Sequence, residues 1–256
     1  MVGRGNLRLA LGLEYEGTGW HGWQSQASGN TIQDCLEAAL NKFSKESTRV
    51  VCAGRTDAGV HAKGQVVHFD SEIQRNTHSW LTGVNSFLPS SVAIKWVKEV
   101  DITFHARFSA ISRLYSYSIL NQKIRSPLLR QTATWIPVKL DCSKISEASK
   151  LLIGSHDFSA FRSSECQAKS AVRNVLKLQV LVQPPVIRIE IEANAFLQHM
   201  VRNIVGCFYE IGRGKKPVSW LSEVIASRER RQCARTFPPE GLCLESVNYG
   251  KLFYAD

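Results

Sequence analysis

The stretch Gly54–Ala62 is unusual because two glycines, an arginine, a threonine, an aspartate and a histidine lie within its first eight positions. Asp57 lies between two glycines, with Arg55 before it and His61 after it. Glycines let the backbone turn sharply and let another molecule approach it closely. A carboxylate in such a place can act as a nucleophile. The ordinary alternative is a tight turn closed by an Asx-type hydrogen bond.

A second unusual residue is Arg202, which lies in the middle of an apolar segment that we predict to be a helix over residues 196–211. Arginine keeps its charge, and a buried unpaired ion is costly, so Arg202 requires an anionic partner. Glu192 and Glu210 are the nearest carboxylates along the chain. The partner is therefore either a structural carboxylate or Asp57, and the second pairing would keep Asp57 ionised and oriented.

Hydrophobic periodicity predicts the elements that must position these residues. Strict alternation predicts a half-buried strand over residues 7–15, and Thr31 predicts a capping-box-like helix start followed by an apolar face that includes Cys35. The same reasoning predicts strands over 50–53, 65–70, 92–100, 114–119, 174–181, 186–193 and 242–249, helices over 77–87, 143–153, 196–211 and after Pro217, and a hairpin turn at Pro184-Pro185.

Both halves of the chain mix strands with helices, which favours an α+β protein of two lobes. We expect one lobe over residues 1–106 and another over 107–256, joined near residues 104–108. Each lobe is predicted to carry a mixed or antiparallel sheet with helices packed on it. A central cleft between the lobes would hold the substrate.

Composition limits the class of protein. The chain has 256 residues, of which 44% are hydrophobic and 21% charged, as expected of a globular protein with a sizeable core. Its net charge of +10 indicates a polyanionic partner such as nucleic acid. No run reaches the roughly 18 to 20 apolar residues of a membrane helix, and residues 1–6 show no signal-peptide core, so we expect a cytosolic protein.

The cysteines and histidines give no metal-binding pattern. The seven cysteines form no CxxC pair, which favours buried free thiols over disulfides or zinc. A metal-dependent nuclease built on Asp57, His61, His68 and Asp70 is the main rival enzyme, but their spacing matches no metal motif. A non-catalytic RNA-binding protein is the other alternative. We expect neither a metal nor a cofactor.

The segment Gly54–Ala62 strongly resembles the catalytic motif of the TruA family of tRNA pseudouridine synthases, in its bacterial form. The likeness extends in the same order over nearly the whole chain, through segments 15–17, 22–24, 64–69, 104–110, 113–117, 156–158, 194–206 and 240–242. So many ordered matches are far more specific than one short motif.

The resemblance implies the pseudouridine synthase fold and the isomerisation of uridine to pseudouridine in tRNA. It implies that Asp57 is the nucleophile and that Arg202 is its ion-pair partner. It also implies that Tyr115 stacks on the target uracil, where it either only stacks or also relays a proton. The substrate-binding residues would be Tyr115, Arg55, Leu242, Arg107 and His61.

The resemblance further implies a homodimer that modifies uridines 38, 39 and 40 of the anticodon stem-loop after flipping each base out of its stack. Attack of the carboxylate at C1′ of the ribose and at C6 of the uracil both remain open. Three basic segments either hold the RNA backbone or form a solvated surface: residues 123–130, Arg162 with Lys169 and Arg173, and residues 228–231 with Arg235.

Overall fold

The computed structural model describes residues 7–253, which form two compact units. The first unit contains residues 7–111 and 244–253, and the second is Ser112–Cys243. This division differs from lobes over 1–106 and 107–256, because the chain returns to the first unit at Leu244. Residues 1–6, for which we predicted no targeting signal, lie outside the described residues.

The first unit is an antiparallel sheet with two helices. Strand β1 lies between β3 and β4, and the short strand β2 pairs with β3. The elements in chain order are β1 (Leu7–Tyr15), α1 (Ile32–Ser44), β2 (Val51–Cys52), β3 (His61–Ser71), α2 (Thr77–Asn85) and β4 (Val92–Val100).

The middle of strand β1, residues 9–13, is buried on both faces, so the prediction of a half-buried strand holds only towards its ends, at Arg8 and Glu14. The face that carries Ala10 and Gly12 is covered by aromatic side chains, since a Cβ on Gly12 would lie 2.1 Å from the Trp96 ring. Ala10 belongs to a core cluster with Phe104 and Tyr249. Small residues on this face make room for large rings, which alternation between apolar and other residues does not reveal.

Helix α1 begins where the sequence predicts. Thr31 has an extended backbone conformation, and its hydroxyl accepts a hydrogen bond of 3.2 Å from the Asp34 N–H. The Thr31 hydroxyl in turn donates to the Asp34 carboxylate at 2.6 Å. This capping arrangement satisfies a helix N–H that has no partner within the helix.

The second unit is a mixed sheet with three helices. Its strands run in the order β5, β9, β8, β7, each antiparallel to the next, and β6 is parallel to β5. The elements are β5 (Ser112–Asn121), β6 (Thr134–Ile136), α3 (Cys142–Lys150), β7 (Gly154–Asp157), β8 (Val172–Gln183), β9 (Val186–Ala193), α4 (Met200–Gly212), α5 (Trp220–Ser227) and β10 (Leu242–Asn248), whose last five residues belong to the first unit. The α+β class with mixed and antiparallel sheets is confirmed.

Helix α4 begins at Met200, four residues later than the predicted start at 196. His199 has a φ of +64°, a left-handed conformation that cannot continue a right-handed helix. Arg202 is therefore the third residue of α4, not a residue of its middle, and it is partly exposed. The apolar pattern extends beyond the helix because Leu197 is also buried.

Other expectations were met in part. Pro184-Pro185 forms the turn between β8 and β9, as predicted, while β6 and β7 were not predicted. All seven cysteines are free, as predicted, and Cys207 is fully buried while the other six residues are partly exposed. No helix among residues 7–253 has both the length and the apolar character needed to cross a membrane.

Candidate active site

Asp57 lies in the loop between β2 and β3 of the first unit, and its side chain is partly exposed. The Asp57 carbonyl accepts a hydrogen bond of 3.1 Å from the Val60 N–H, which closes a turn. A tight turn is thus present around Asp57, closed by a backbone hydrogen bond. A turn and a catalytic role are compatible, because Asp57 stays partly exposed within the turn.

The residue before Asp57 is fixed from two directions. The Thr56 hydroxyl is 2.9 Å from the Tyr15 hydroxyl, and the Thr56 carbonyl accepts a hydrogen bond of 3.0 Å from the Trp23 N–H. The Gln65 amide donates to the Gly54 carbonyl at 2.6 Å and to the Tyr15 hydroxyl at 3.3 Å. These buried hydrogen bonds hold the backbone on the N-terminal side of Asp57 in one conformation.

Glycines allow the segment after β1 to pack directly against the Asp57 loop. A Cβ on Gly22 would lie 2.8 Å from the Thr56 carbonyl oxygen and 3.0 Å from the Ala58 nitrogen. A Cβ on Gly17 would lie 2.1 Å from the Val60 carbonyl oxygen. All three distances are shorter than van der Waals contact, so any larger residue would displace the backbone that carries Asp57.

His61 fixes the other end of the loop. Its ring is buried, and Nδ1 accepts a hydrogen bond of 3.0 Å from the Gly17 N–H. The same nitrogen lies 3.9 Å from the Glu16 carboxylate. An Nδ1 that accepts a hydrogen bond leaves the proton of a neutral ring on Nε2.

Two of the predicted substrate-binding residues, Arg55 and Arg107, lie near Cys52. Both side chains are exposed. Burial raises the pKa of the Cys52 thiol to about 12, and the positive charges of Arg55 and Arg107 act against this rise. The first unit therefore has two exposed cations within electrostatic range of Cys52, which lies in the strand before the Asp57 loop.

In the second unit, Arg202 is joined to Phe237 by two hydrogen bonds. Nε of Arg202 donates to the Phe237 carbonyl oxygen at 2.7 Å, and the Phe237 N–H donates to the Arg202 carbonyl oxygen at 3.2 Å. The next helical residue, Asn203, is fully buried and donates to the Phe161 carbonyl at 2.8 Å. These contacts determine the direction of the guanidinium group.

Tyr115 and Tyr117 lie on one face of β5, as predicted. The Tyr115 ring is buried and meets the Phe196 ring edge-on, at 5.0 Å between centroids and 79° between planes. Tyr117 is a packing residue, because its hydroxyl is 2.6 Å from the Thr134 hydroxyl and donates to the Pro238 carbonyl at 2.8 Å. Burial raises the pKa of Tyr117.

Leu242 is the first residue of β10 and is buried, and its N–H donates to the Pro239 carbonyl at 2.9 Å. This turn brings the segment after Phe237 into β10. The position of Leu242 therefore depends on the same connection that carries the acceptor of Arg202.

The side chains considered as ligands for a nuclease metal have other partners. His68 Nδ1 accepts a hydrogen bond of 3.1 Å from the Ala106 N–H, and Asp70 forms a two-fold ion pair with Arg8 at 2.7 and 2.8 Å. The Arg8 guanidinium holds the pKa of Asp70 below its usual range. Within residues 7–253, no three His, Cys, Asp or Glu side chains are arranged to hold a metal ion.

Comparison with protein families gives a match to the model described as tRNA pseudouridine synthase, over residues 13–109 and 148–250. The chain belongs to the tRNA pseudouridine synthase family. This is a family of isomerases, and its match covers Asp57, Arg202 and Leu242 but not Tyr115, which lies between the two matched segments. The resemblance of the sequence to this family and the predicted enzyme class are confirmed.

Three curated relatives named tRNA pseudouridine synthase A are about half identical to this chain. The one from Paraburkholderia phymatum is 50% identical and covers 96% of this chain and 92% of its own. The one from Burkholderia thailandensis is 50% identical, with 95% and 90% covered. The one from Paraburkholderia xenovorans is 49% identical, with 96% and 91% covered. This family member is thus similar to them over nearly its full length.

Several residues that support the site were not assigned from the sequence. Gln65 and Phe196 were noted only within longer matching segments, and Phe237 was not noted. The Phe237 contact is made by a backbone carbonyl, which leaves no signature in the side-chain sequence. Gln65 gives a weak signal, since it is a buried amide in an otherwise apolar strand segment and must therefore have polar partners.

Proposed function

We propose that this protein converts uridine to pseudouridine at positions 38, 39 and 40 of the anticodon stem-loop of tRNA, with Asp57 as the nucleophile. The observation that carries the proposal is the position of Asp57 in a family member. It is a partly exposed carboxylate on a loop held by Tyr15, Gln65 and His61. A fixed carboxylate that reaches solvent suits attack on a bound base or sugar.

The chemistry requires no co-reactant. Asp57 attacks C1′ of the ribose or C6 of the uracil, the N1–C1′ bond breaks, and the base turns so that C5 bonds to C1′. The proton on C5 leaves, N1 gains one proton, and the carboxylate is released. Because atoms and electrons balance within the nucleotide, the protein needs to supply a nucleophile, a proton route and an enclosed site. The target base must first leave its stack, which costs a few kcal/mol.

The other roles follow from the residue types. Arg202 serves as the cation that keeps Asp57 ionised when the site closes over the base. Tyr115 stacks on the uracil, a role supported by the edge contact with Phe196 that fixes its ring plane. Leu242 packs beside the base. Arg55 helps to move or replace the flipped nucleotide, and Arg107 and His61 bind the substrate.

The proposed partner is tRNA in the cytoplasm, bound by a homodimer. The net charge of +10 supports a polyanionic substrate. The exposed cations Arg55 and Arg107 support contact with phosphates near Asp57. Sedimentation of the purified protein, alone and with tRNA, tests the dimer. A monomer under both conditions would contradict it.

The nucleophile is tested with Asp57→Asn and tRNA that carries tritium at C5 of uridine. Tritium release should fall by about 1,000-fold or more, while the Kd for tRNA stays close to that of the wild type. Asp101→Asn is the matched control, because Asp101 is an exposed aspartate of the same unit whose oxygen is used in a contact with Thr103. Comparable turnover by the Asp57 variant would reject the assignment.

The target positions are tested by mapping pseudouridine in tRNA transcripts that keep a uridine at only one of positions 38, 39 and 40. Each transcript should be modified at its remaining uridine. A product found only elsewhere in the tRNA would reject these positions while leaving the isomerase activity in place.

A further inference from the structure

A cavity of about 470 Å³ opens in the second unit and is lined mainly by cationic and hydroxyl-bearing side chains. Three of its lining residues are arginines, Arg162, Arg228 and Arg230. Ser163, Ser164 and His199 also contribute to the wall. Guanidinium groups beside hydroxyl groups form the donor set that binds phosphate oxygens.

Arg230 is rigidly held by neutral acceptors. Its Nη1 donates to the Ala234 carbonyl at 2.8 Å, and its Nη2 donates to the Asn203 amide oxygen at 3.1 Å and to the Thr236 hydroxyl at 3.0 Å. Among the described residues, none of its contacts is with a carboxylate. These bonds position the cation without neutralising its charge, so the cavity keeps a positive potential.

The other two arginines leave the charge balance positive. Arg162 donates from Nη2 to the Cys166 carbonyl, again a neutral acceptor. Arg228 lies 3.3 Å from the Asp157 carboxylate, and its side chain is 69% exposed. Over the part of the chain that the structure describes, only one of the three guanidinium groups is therefore paired with a carboxylate. An anion would balance the remaining charge.

The walls of the cavity are continuous with the segments that hold Arg202. His199 directly precedes α4, whose third residue is Arg202. Thr236 directly precedes Phe237, whose carbonyl accepts the hydrogen bond from Arg202. Asn203, the neighbour of Arg202, accepts hydrogen bonds from both Arg230 and Thr236. An anion bound in the cavity would thus lie on the framework that orients Arg202.

We propose that this cavity binds a phosphodiester group of the RNA substrate, close in sequence to the target uridine. The inference rests on the proposed function and deepens it, because it assigns a backbone-binding site to Arg162, Arg228 and Arg230. The rigid Arg230 provides the fixed charge, and the exposed Arg228 closes over the phosphate from the rim. Such a contact fixes the register of the RNA without reading its sequence.

The test measures equilibrium binding of tRNA in which single phosphates around the mapped target uridine are replaced by neutral methylphosphonates. One linkage within about two nucleotides of the target should weaken binding to the wild-type protein by about 10-fold. The same linkage should change binding to Arg162→Gln by less than about two-fold, because its partner is already absent. Arg228→Gln, on the exposed rim, should show the same loss of sensitivity and provides a second variant.

Arg231→Gln is the matched control. Arg231 is the neighbour of Arg230, is exposed, and does not line the cavity. This variant removes the same charge and should keep the wild-type pattern of sensitivity. The inference is overturned if no linkage loses its effect in the Arg162 and Arg228 variants, or if Arg231→Gln loses it equally, since only overall charge would then matter.

A second arm separates this inference from the proposed function. Inorganic phosphate, at ionic strength matched with chloride, is titrated against wild type and Arg162→Gln while ³¹P line broadening is recorded. Phosphate broadening that requires Arg162, without any methylphosphonate coupling, would identify a site for free phosphate and overturn the assignment to RNA. If the tRNA binds with the expected coupling but no uridine is modified, the cavity assignment stands and the proposed function fails.

Discussion

Nε of Arg202 donates a hydrogen bond of 2.7 Å to the carbonyl oxygen of Phe237, whose own N–H donates one of 3.2 Å to the carbonyl oxygen of Arg202. The backbone of Phe237, 35 positions away in the sequence, thereby contacts both the backbone and the guanidinium group of Arg202. A planar donor fixed in this way suits a bidentate contact with a carboxylate.

Arg202→Lys should therefore abolish most activity although it keeps the positive charge. Lysine is a point charge without the Nε donor, so the contact with the Phe237 carbonyl and the planar fork are both lost. We expect kcat to fall by about 100-fold or more, with the Kd for tRNA changed by less than about three-fold. Arg213→Lys, at the end of the same helix and paired with Glu210, should keep its activity. A near-normal kcat for Arg202→Lys would show that activity requires only a positive charge at this position and not the guanidinium geometry.

Gly22→Ala should reduce activity through the backbone of the Asp57 loop. The added Cβ meets the Thr56 carbonyl oxygen at 2.8 Å, and a shift there moves Asp57. Gly19→Ala is a matched control, since Gly19 has the same φ of +85° but no atom within 4 Å of the added Cβ. Both variants carry the cost of a left-handed alanine, about 1 kcal/mol. Tritium release measured at equal folded fraction should fall only for Gly22→Ala. Equal losses of activity in both variants would show that contact with the Thr56 carbonyl is not the cause.

Tyr15→Phe should lower both stability and activity. It removes the hydroxyl that lies 2.9 Å from Thr56 and accepts from Gln65, at a cost of about 1 kcal/mol in the free energy of unfolding. Tyr249→Phe, whose hydroxyl donates to the Ala106 carbonyl at 2.7 Å, removes a buried hydrogen bond elsewhere in the same unit. Urea unfolding should show similar losses for the two variants. Only Tyr15→Phe should lower kcat, and a normal kcat would mean that the Asp57 loop does not depend on this hydroxyl.

Stability should decrease as the pH falls from about 6.5 towards 4, through His68. Burial, with the nearby charges of Arg8 and His105, lowers the pKa of His68 from 6.5 to about 4. The unfolded chain therefore binds a proton in this range that the folded chain does not bind, which favours unfolding by up to about 3 kcal/mol at the acid end. The contribution of His68 to the free energy of unfolding is fully present above its unfolded pKa of 6.5 and is lost progressively as the pH falls towards about 4.

The measurement is urea unfolding at several pH values in wild type and in His68→Asn, whose amide oxygen can still accept from the Ala106 N–H. The slope of stability against pH between 6.5 and 4 should become shallower in the variant. His105, whose pKa is also lowered by burial and by Arg8, accounts for part of the slope that remains. An unchanged slope in His68→Asn would show that His68 does not cause the loss of stability between pH 6.5 and 4.

Local patterns were sufficient for most elements of the fold. The alternation in β1 and β9, the Thr31 cap of α1 and the turn at Pro184-Pro185 depend on residues within a few positions of one another. The short strands β6 and β7 were missed because three or four residues carry no measurable period. The start of α4 was predicted four residues too early because His199 adopts a left-handed conformation, which its residue type does not predict.

The sequence by itself determined the family, the Asp57 motif, the basic character and the order of most strands and helices. Each of these depends only on residue types and on spacings of a few residues. Only the tertiary structure decided which atoms support the site. The acceptor of Arg202 is a backbone carbonyl 35 residues away, and the partner of Thr56 is a hydroxyl 41 residues away. It also decided that the middle of β1 is buried on both faces and that Arg162 and Arg230 line one cavity. Such contacts follow from how the chain packs, and packing depends on shape at distances that local spacing does not encode.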